Sequence, residues 1–290
     1  MKFVADVDIP FLKGVLEPYA EVVYKKGMEI CREDILDADA LLIRTRTRCD
    51  ASLLEGTKVS LITTATIGMD HIDLDYCRSH GIEVANASGC NAGGVMQYVF
   101  SALYGVAARK GIKIDGATIG IIGVGNVGKK IEYLAEYLGF KILRCDPPRA
   151  QKEGSDGFCS LEHLLAESDV VTLHVPLDDS TRGMANADFF TLMKPGSIFI
   201  NASRGEVADT EALLSAPQTL LLDVWEREPM IDAKLLDKAL VATPHIAGYS
   251  AQGKANASAA VVRAVAERFS LPLTEWYPQQ VQPTKRQPID

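Results

Sequence analysis

The chain contains no Cys-x-x-Cys pair, no apolar run of bilayer length, no internal repeat and no low-complexity block. Each absence removes a class of protein. A membrane-spanning helix needs about 20 consecutive apolar residues, so no membrane partner is expected. The six cysteines (Cys31, Cys49, Cys77, Cys90, Cys145 and Cys159) are scattered. Scattered cysteines argue against a zinc site and against thioredoxin-like redox chemistry, so no metal is expected. They read as reduced thiols of a cytoplasmic protein. Positive charge is also short: 30 Lys and Arg stand against 38 Asp and Glu, for a net charge of −8. That balance argues against a nucleic-acid partner. The start, Met1-Lys2-Phe3-Val4-Ala5-Asp6, meets an acid too early for a secretory signal and reads as a first strand.

What is present suits a globular protein with a sizeable core. The hydrophobic fraction is 47%, and 290 residues allow one large domain or two medium ones. Short β-branched runs alternate with helical patterns. Strands are predicted at Lys2–Val7, Glu21–Tyr24, Ala40–Arg44, Val59–Ala65 and Glu83–Ala85. A second series is predicted at Thr118–Ile122, Lys141–Cys145, Val170–His174, Ser197–Asn201, Leu220–Asp223 and Leu240–Thr243. Strands separated by helices imply parallel sheets, hence an α/β fold in two lobes. Two long helices, Asn91–Arg109 and Ser250–Phe269, read as the struts between the lobes. The first domain is predicted to hold residues 1–92 and 260–290, the second residues 93–259. The tail after Phe269 is rich in Pro and Gln and reads as extended or partly disordered.

Gly123-Val124-Gly125-Asn126-Val127-Gly128 follows a predicted strand and opens a predicted helix. A lone G-x-G-x-x-G is a weak signal, but here it has its required context. Gly123 permits the tight turn, Gly125 the approach of backbone to a pyrophosphate, and Gly128 close packing of helix and strand. The helix start then faces the phosphate charge. Asp146 ends the next strand, where a carboxylate accepts bonds from ribose hydroxyls and repels a 2′-phosphate. That favours NAD over NADP. Arg149, three residues on, complicates the choice. It could attract a 2′-phosphate, frame the adenine or be solvated.

Three motifs downstream each supply one group of a hydride-transfer site. Asn201-Ala202-Ser203-Arg204-Gly205 offers a cation, Asp223-Val224-Trp225-Glu226-Arg227-Glu228-Pro229 a carboxylate, and Thr243-Pro244-His245-Ile246-Ala247-Gly248-Tyr249 an imidazole. An arginine fork suits a substrate carboxylate. A histidine suits the hydroxyl proton, and a carboxylate fixes its tautomer. Taken singly, Arg204, Glu228 and His245 have ordinary readings as a loop cation, a solvated acid and a half-buried histidine. Their order after a dinucleotide loop favours the chemical reading. Among the other histidines, His71 reads as capping or packing a helix start, and His80 as sitting at a helix end. His163 reads as surface, and His174 as structural at a strand end.

On these motifs the chain resembles the D-isomer-specific 2-hydroxyacid dehydrogenases over almost its whole length. Further resemblance lies in Thr64-Ala65-Thr66-Ile67-Gly68-Met69-Asp70-His71, Ser88-Gly89-Cys90-Asn91-Ala92 and Cys145-Asp146-Pro147-Pro148-Arg149. The resemblance implies a Rossmann NAD-binding domain with a doubly wound parallel sheet and a flavodoxin-like substrate domain. It implies Arg204, Glu228 and His245 as catalytic residues, with His245 the acid/base. Near NAD it places the loop residues Gly123, Gly125, Asn126, Val127 and Gly128, then Asp146, Val175, Ala202, Ser203, Asp223 and Gly248. At the substrate it places Thr45, Thr66 and Tyr249. The family often has Ser at the position of Thr45, and both carry a hydroxyl. The Gly-Cys-Asn and Asp-Pro-Pro-Arg elements point to members that act on a phosphorylated hydroxy acid. A homodimer is implied too, although the tail does not resemble the C-terminal dimerisation domain of longer members.

A phosphorylated substrate needs a second anion site. Arg44, Arg46 and Arg48 alternate along a stretch read as extended, which places them on one face. A phosphate site and a solvated edge are both open readings. Two rival functions also stand: another member of the family, such as a phosphoglycerate dehydrogenase, and an NAD-sensing regulator on the same fold, similar to the C-terminal-binding corepressors.

Overall fold

The first five strands are β1 (Lys2–Asp6), β2 (Glu21–Lys25), β3 (Ala40–Ile43), β4 (Leu61–Thr64) and β5 (Glu83–Asn86). In the computed structural model, which describes residues 1–279 and 281, they form one all-parallel sheet. Its order, β2-β1-β3-β4-β5, is the flavodoxin-like order. Alternation along each strand serves two cores. Phe3, Ala5 and Leu42 face one cluster, which is completed by Ala257, Val261, Val262 and Val265 of the helix Ala251–Phe269. Val4, Leu41 and Ile43 face the other, with Ile35, Leu53 and Leu54. Burial on both faces explains why β3 reads as a continuous apolar run.

Six strands follow: β6 (Thr118–Ile122), β7 (Lys141–Cys145), β8 (Val170–Leu173), β9 (Ile198–Asn201), β10 (Thr219–Leu222) and β11 (Val241–Ala242). They too are all parallel, in the order β11-β10-β9-β8-β6-β7. The chain leaves β6 for β7 on one side, then returns to place β8 on the other. This reversal opens a crevice at the carboxyl ends of β6 and β8. One face of the sheet is covered by the helix Ala92–Lys110 through Val95, Val99, Leu103 and Val106. That helix stops at Gly111, whose φ of 64° only glycine adopts readily. The other face packs Phe189, Phe190 and Phe199 edge to face, with centroids 5.0–5.9 Å apart.

The chain divides into two compact units, one of Met1–Asn91 with the segment from Ser250 onward, the other of Ala92–Tyr249. The second boundary differs from the expected 259/260. The helix Ala251–Phe269 is continuous from its cap, where the Ser250 hydroxyl accepts from the Gly253 N–H, and it lies wholly in the first unit. Its side chains fill one hydrophobic cluster, so no boundary falls within it.

The tail also departs from expectation as far as the structure describes it. Leu271 is buried, and Leu273 and Trp276 pack on the first unit's core. The Gln252 amide donates to the Tyr277 hydroxyl at 2.6 Å, and that hydroxyl donates to Asn256 Oδ1 at 3.1 Å. Apolar anchors in a Pro- and Gln-rich stretch outweigh its composition. The remainder of the tail lies outside the described residues. All six cysteines are free thiols. Among the described residues, no helix is long and apolar enough to cross a membrane.

Phe199 is fully buried at the centre of the aromatic cluster. Phe199→Ala is expected to destabilise the second unit by about 3–5 kcal/mol in urea unfolding followed by circular dichroism. A loss below about 1 kcal/mol would show that the cluster collapses to fill the void.

Candidate active site

Functional candidates of the second unit follow the carboxyl ends of its strands: Gly123 after β6, Asp146 after β7, Val175 after β8, Arg204 after β9, Asp223 after β10 and His245 after β11. The glycine loop has the form a dinucleotide needs. Gly123 sits at φ 84°, and a Cβ there would stand 2.8 Å from the His174 carbonyl and the Val175 nitrogen. This contact brings the Val175 backbone to the loop. A Cβ on Gly128 would stand 2.2 Å from the Gly123 oxygen, so helix and strand pack closely only around glycine. A Cβ on Gly125 would meet nothing within 4 Å, so that backbone faces open space. Asn126 beside it is exposed, and the helix Gly128–Tyr137 starts just after Val127. The residues present therefore fit a bound pyrophosphate.

Asp146 holds this loop directly. Its Oδ2 accepts the Val124 N–H at 2.7 Å, and its Oδ1 accepts the Arg149 N–H at 3.1 Å, capping the helix Pro147–Glu153. Each oxygen keeps a lone pair for a ribose hydroxyl. Arg149 is engaged rather than left to solvent. Its Nη1 donates to the Val124 carbonyl at 2.6 Å, and its other nitrogens pair with Glu153. The His174 ring bonds Thr172 Oγ1 at 3.0 Å, and burial pushes its pKa down to about 3, so it is neutral and structural.

The imidazole and the carboxylate meet. His245 Nδ1 lies 2.8 Å from Glu228 Oε2. A carboxylate only accepts, so Nδ1 carries the hydrogen and Nε2 is left with a lone pair. Glu228 Oε1 accepts the Trp225 N–H at 2.9 Å, and the Trp225 indole donates to the Thr243 carbonyl at 2.8 Å. Both acid and base are thus tied to one tryptophan. Glu226 accepts the Thr210 hydroxyl at 2.7 Å, while Glu228 is the acid that His245 meets.

His245 adopts φ 55°, an unusual conformation for a residue other than glycine. Asp223 holds it there. The buried carboxylate accepts the Thr243 hydroxyl at 2.5 Å and the N–H groups of Ile246 and Ala247 at 2.8 Å each. The Asp223 carbonyl accepts the His245 N–H at 2.7 Å. Asp223 therefore builds the histidine turn, a role beyond the cofactor contact implied by resemblance. Gly248 and the exposed Tyr249 follow in the same turn, with the Tyr249 N–H donating to the Ile246 carbonyl.

Arg204 is placed by its neighbours. Asn201 Oδ1 accepts from both the N–H and the hydroxyl of Ser203, and the Asn201 amide donates to the Arg204 carbonyl. Ala202 lies within this turn. A Cβ on Gly205 would stand 2.0 Å from the Trp225 carbonyl group. Glycine there lets the Arg204 turn close on the loop that carries Glu228. The Arg204 guanidinium donates to the Ser203 carbonyl at 2.8 Å.

The substrate candidates of the first unit also sit at strand ends. Thr45 is exposed just past β3, and Thr66 half-buried just past β4. Thr64 Oγ1 lies 2.7 Å from Thr66 Oγ1 and 3.5 Å from His71 Nε2. His71 thus leans on a threonine pair, and burial lowers its pKa. The arginine run is not extended. Residues 45–47 form a turn, with the Thr47 N–H directed at the Arg44 carbonyl and the buried Thr47 hydroxyl donating to the Gly27 carbonyl. The period-two argument for a shared face fails there. Arg44 donates to the Asp8 carbonyl and Arg48 pairs with Asp50, while exposed Arg46 has no side-chain partner among the described residues.

Trp225, Thr210 and Asn201 escaped the sequence reading. They act through long-range or turn-closing bonds; Trp225 and Asn201 lie within the quoted motifs, and Thr210 lies in none.

Comparison with known proteins bears on the family and the fold. Residues 100–247 match the family described as D-isomer specific 2-hydroxyacid dehydrogenase, NAD binding domain. Erythronate-4-phosphate dehydrogenase of Bacteroides fragilis is 47% identical over 281 residues, covering 93% of this chain and 81% of that protein. Its counterpart in Bacteroides thetaiotaomicron is also 47% identical, over 94% of this chain and 82% of that protein. Among solved structures, the NAD+-bound 3-phosphoglycerate dehydrogenase of Entamoeba histolytica superposes with a TM-score of 0.78 at 26% identity, covering 94% of this chain and 97% of that one.

Asp146→Ala is expected to weaken NADH binding by about tenfold, since it removes the ribose acceptor and unpins the Val124 N–H. Fluorescence titration measures it, and unaltered affinity would remove Asp146 from the site. Glu228→Gln is expected to lower kcat by about a hundredfold in both directions while sparing NADH affinity, because the imidazolium loses its support. Steady-state rates in each direction test it, and a loss in one direction alone would contradict the pairing.

Proposed function

The chain belongs to the D-isomer specific 2-hydroxyacid dehydrogenases, and from that membership we propose that it oxidises 4-phospho-D-erythronate to 2-oxo-3-hydroxy-4-phosphobutanoate with NAD. The observation that carries the chemistry is the Glu228–His245 pair at the carboxyl edge of an NAD-binding sheet. The choice of substrate rests on the resemblance to erythronate-4-phosphate dehydrogenases. On this reading the product feeds pyridoxal 5′-phosphate biosynthesis, and the enzyme works in the cytoplasm as a homodimer.

NAD, when bound, supplies the hydride acceptor. Arg204 clamps the substrate carboxylate with its fork of donors. His245 Nε2 takes the C2 hydroxyl proton as the hydride leaves C2. Glu228 holds the Nδ1–H and stabilises the imidazolium that results. In the reverse direction His245 returns the proton to the developing alkoxide. Thr45, Thr66 and Tyr249 line the substrate, and Asp223 and Gly248 border the cofactor. The phosphate falls to Arg46, whose neighbours Arg44 and Arg48 are engaged elsewhere.

A panel of 2-hydroxy acids followed by NADH formation tests the reading. Preference for 4-phospho-D-erythronate is expected. Turnover of 3-phosphoglycerate in its place would favour the phosphoglycerate dehydrogenase reading, and no turnover with retained NADH binding would favour the regulator. Arg204→Lys should lose about a hundredfold in kcat/KM, because an ammonium makes no bidentate contact. Arg46→Ala should raise KM for the phosphorylated substrate about tenfold and leave a non-phosphorylated one little changed. Equal effects on both substrates would remove Arg46 from the phosphate.

A further inference from the structure

The turn after β7 carries more charge than a ribose needs. Asp146 and Arg149 both reach residue 124 in the middle of the glycine loop. The carboxylate accepts its N–H at 2.7 Å and the guanidinium donates to its carbonyl at 2.6 Å. Glu153, at the end of the same short helix, grips Arg149 with both carboxylate oxygens, at 2.9 Å to Nε and 2.5 Å to Nη2. Such a fork fixes the plane of a guanidinium as well as its charge. The ring of Phe158 lies 5.3 Å from the Arg149 guanidinium carbon and offers it a π face. The Arg149 guanidinium holds the Glu153 carboxyl below the usual carboxylate range, so the pair is ionised.

We propose that Glu153 is a cofactor-specificity residue, which excludes NADP by holding Arg149 on the glycine loop and by adding a second negative charge beside Asp146. An arginine just after the ribose-binding acid is the side chain that would accommodate a 2′-phosphate if it were free. Here three of its donors are engaged, two of them by an anion. A 2′-phosphate would have to displace a bidentate carboxylate to reach them. The three ionised side chains sum to −1 with Glu153 present and to zero without it. Asp146 repels the phosphate directly, and Glu153 withholds its natural partner.

The inference rests on the NAD reading of the glycine loop, and binding measurements separate the two. Titrations with NADH and with NADPH, followed by nicotinamide fluorescence, are made on the unaltered protein, Glu153→Ala, Glu153→Gln and the double variant Arg149→Ala/Glu153→Ala. Glu153→Ala should lower the preference for NADH over NADPH by about tenfold, chiefly through tighter NADPH binding. Glu153→Gln, which keeps the size and removes the charge, should move the preference the same way. The double variant should lose the gain, because the released arginine is what binds the phosphate. An unmoved preference in both single variants would overturn the proposal, as would a gain that survives loss of Arg149. Failure of the unaltered protein to bind NADH would overturn the cofactor reading itself, which is a separate result.

Discussion

The buried carboxylate of Asp223 decides where the imidazole stands. It takes one hydroxyl and two N–H groups from the turn that carries His245, while its own carbonyl takes the His245 N–H. A histidine at positive φ needs such over-determination, since a free loop would relax it. A second clamp is built on Trp225, whose backbone N–H holds Glu228 and whose indole holds the Thr243 carbonyl. Gly205 packs against the Trp225 carbonyl, so the Arg204 turn is fixed by the same residue. Three short motifs far apart in sequence thus become one rigid constellation, and rigidity of this kind is what proton transfer requires.

The cofactor edge follows the same economy of parts. One turn after β7 pins residue 124 from both sides, so Asp146 and Arg149 together hold the glycine loop. On the proposed reading, binding and selection of the dinucleotide are therefore coupled. A change at Asp146 alters both the shape of the loop and the charge beside it.

Much of this was legible in the sequence. The strand positions agree to within a residue or two, because parallel strands buried on both faces leave long apolar runs. The glycine loop, Asp146, and the pairing of Glu228 with His245 could be read because motif and order constrain them. Other features were beyond reach. The Arg44–Arg48 stretch alternates like a strand but turns, because the Thr47 hydroxyl is anchored to Gly27, twenty residues away. The tail looked extended by composition, yet Leu271, Leu273 and Trp276 pin it. The second unit ends at Tyr249 rather than at residue 259, because a helix follows the core that its apolar face fills. Arg149 could not be assigned until Glu153 was seen to hold it.

The central claim is that Glu228 orients His245 so that Nε2 is the proton acceptor. Nitrogen-15 NMR of the His245 ring, at a pH where it is neutral, reads the tautomer directly. The Glu228 contact predicts a protonated Nδ1 and a bare Nε2. A protonated Nε2 in the neutral ring would contradict it, since that nitrogen would then have a proton to give and no lone pair to take one.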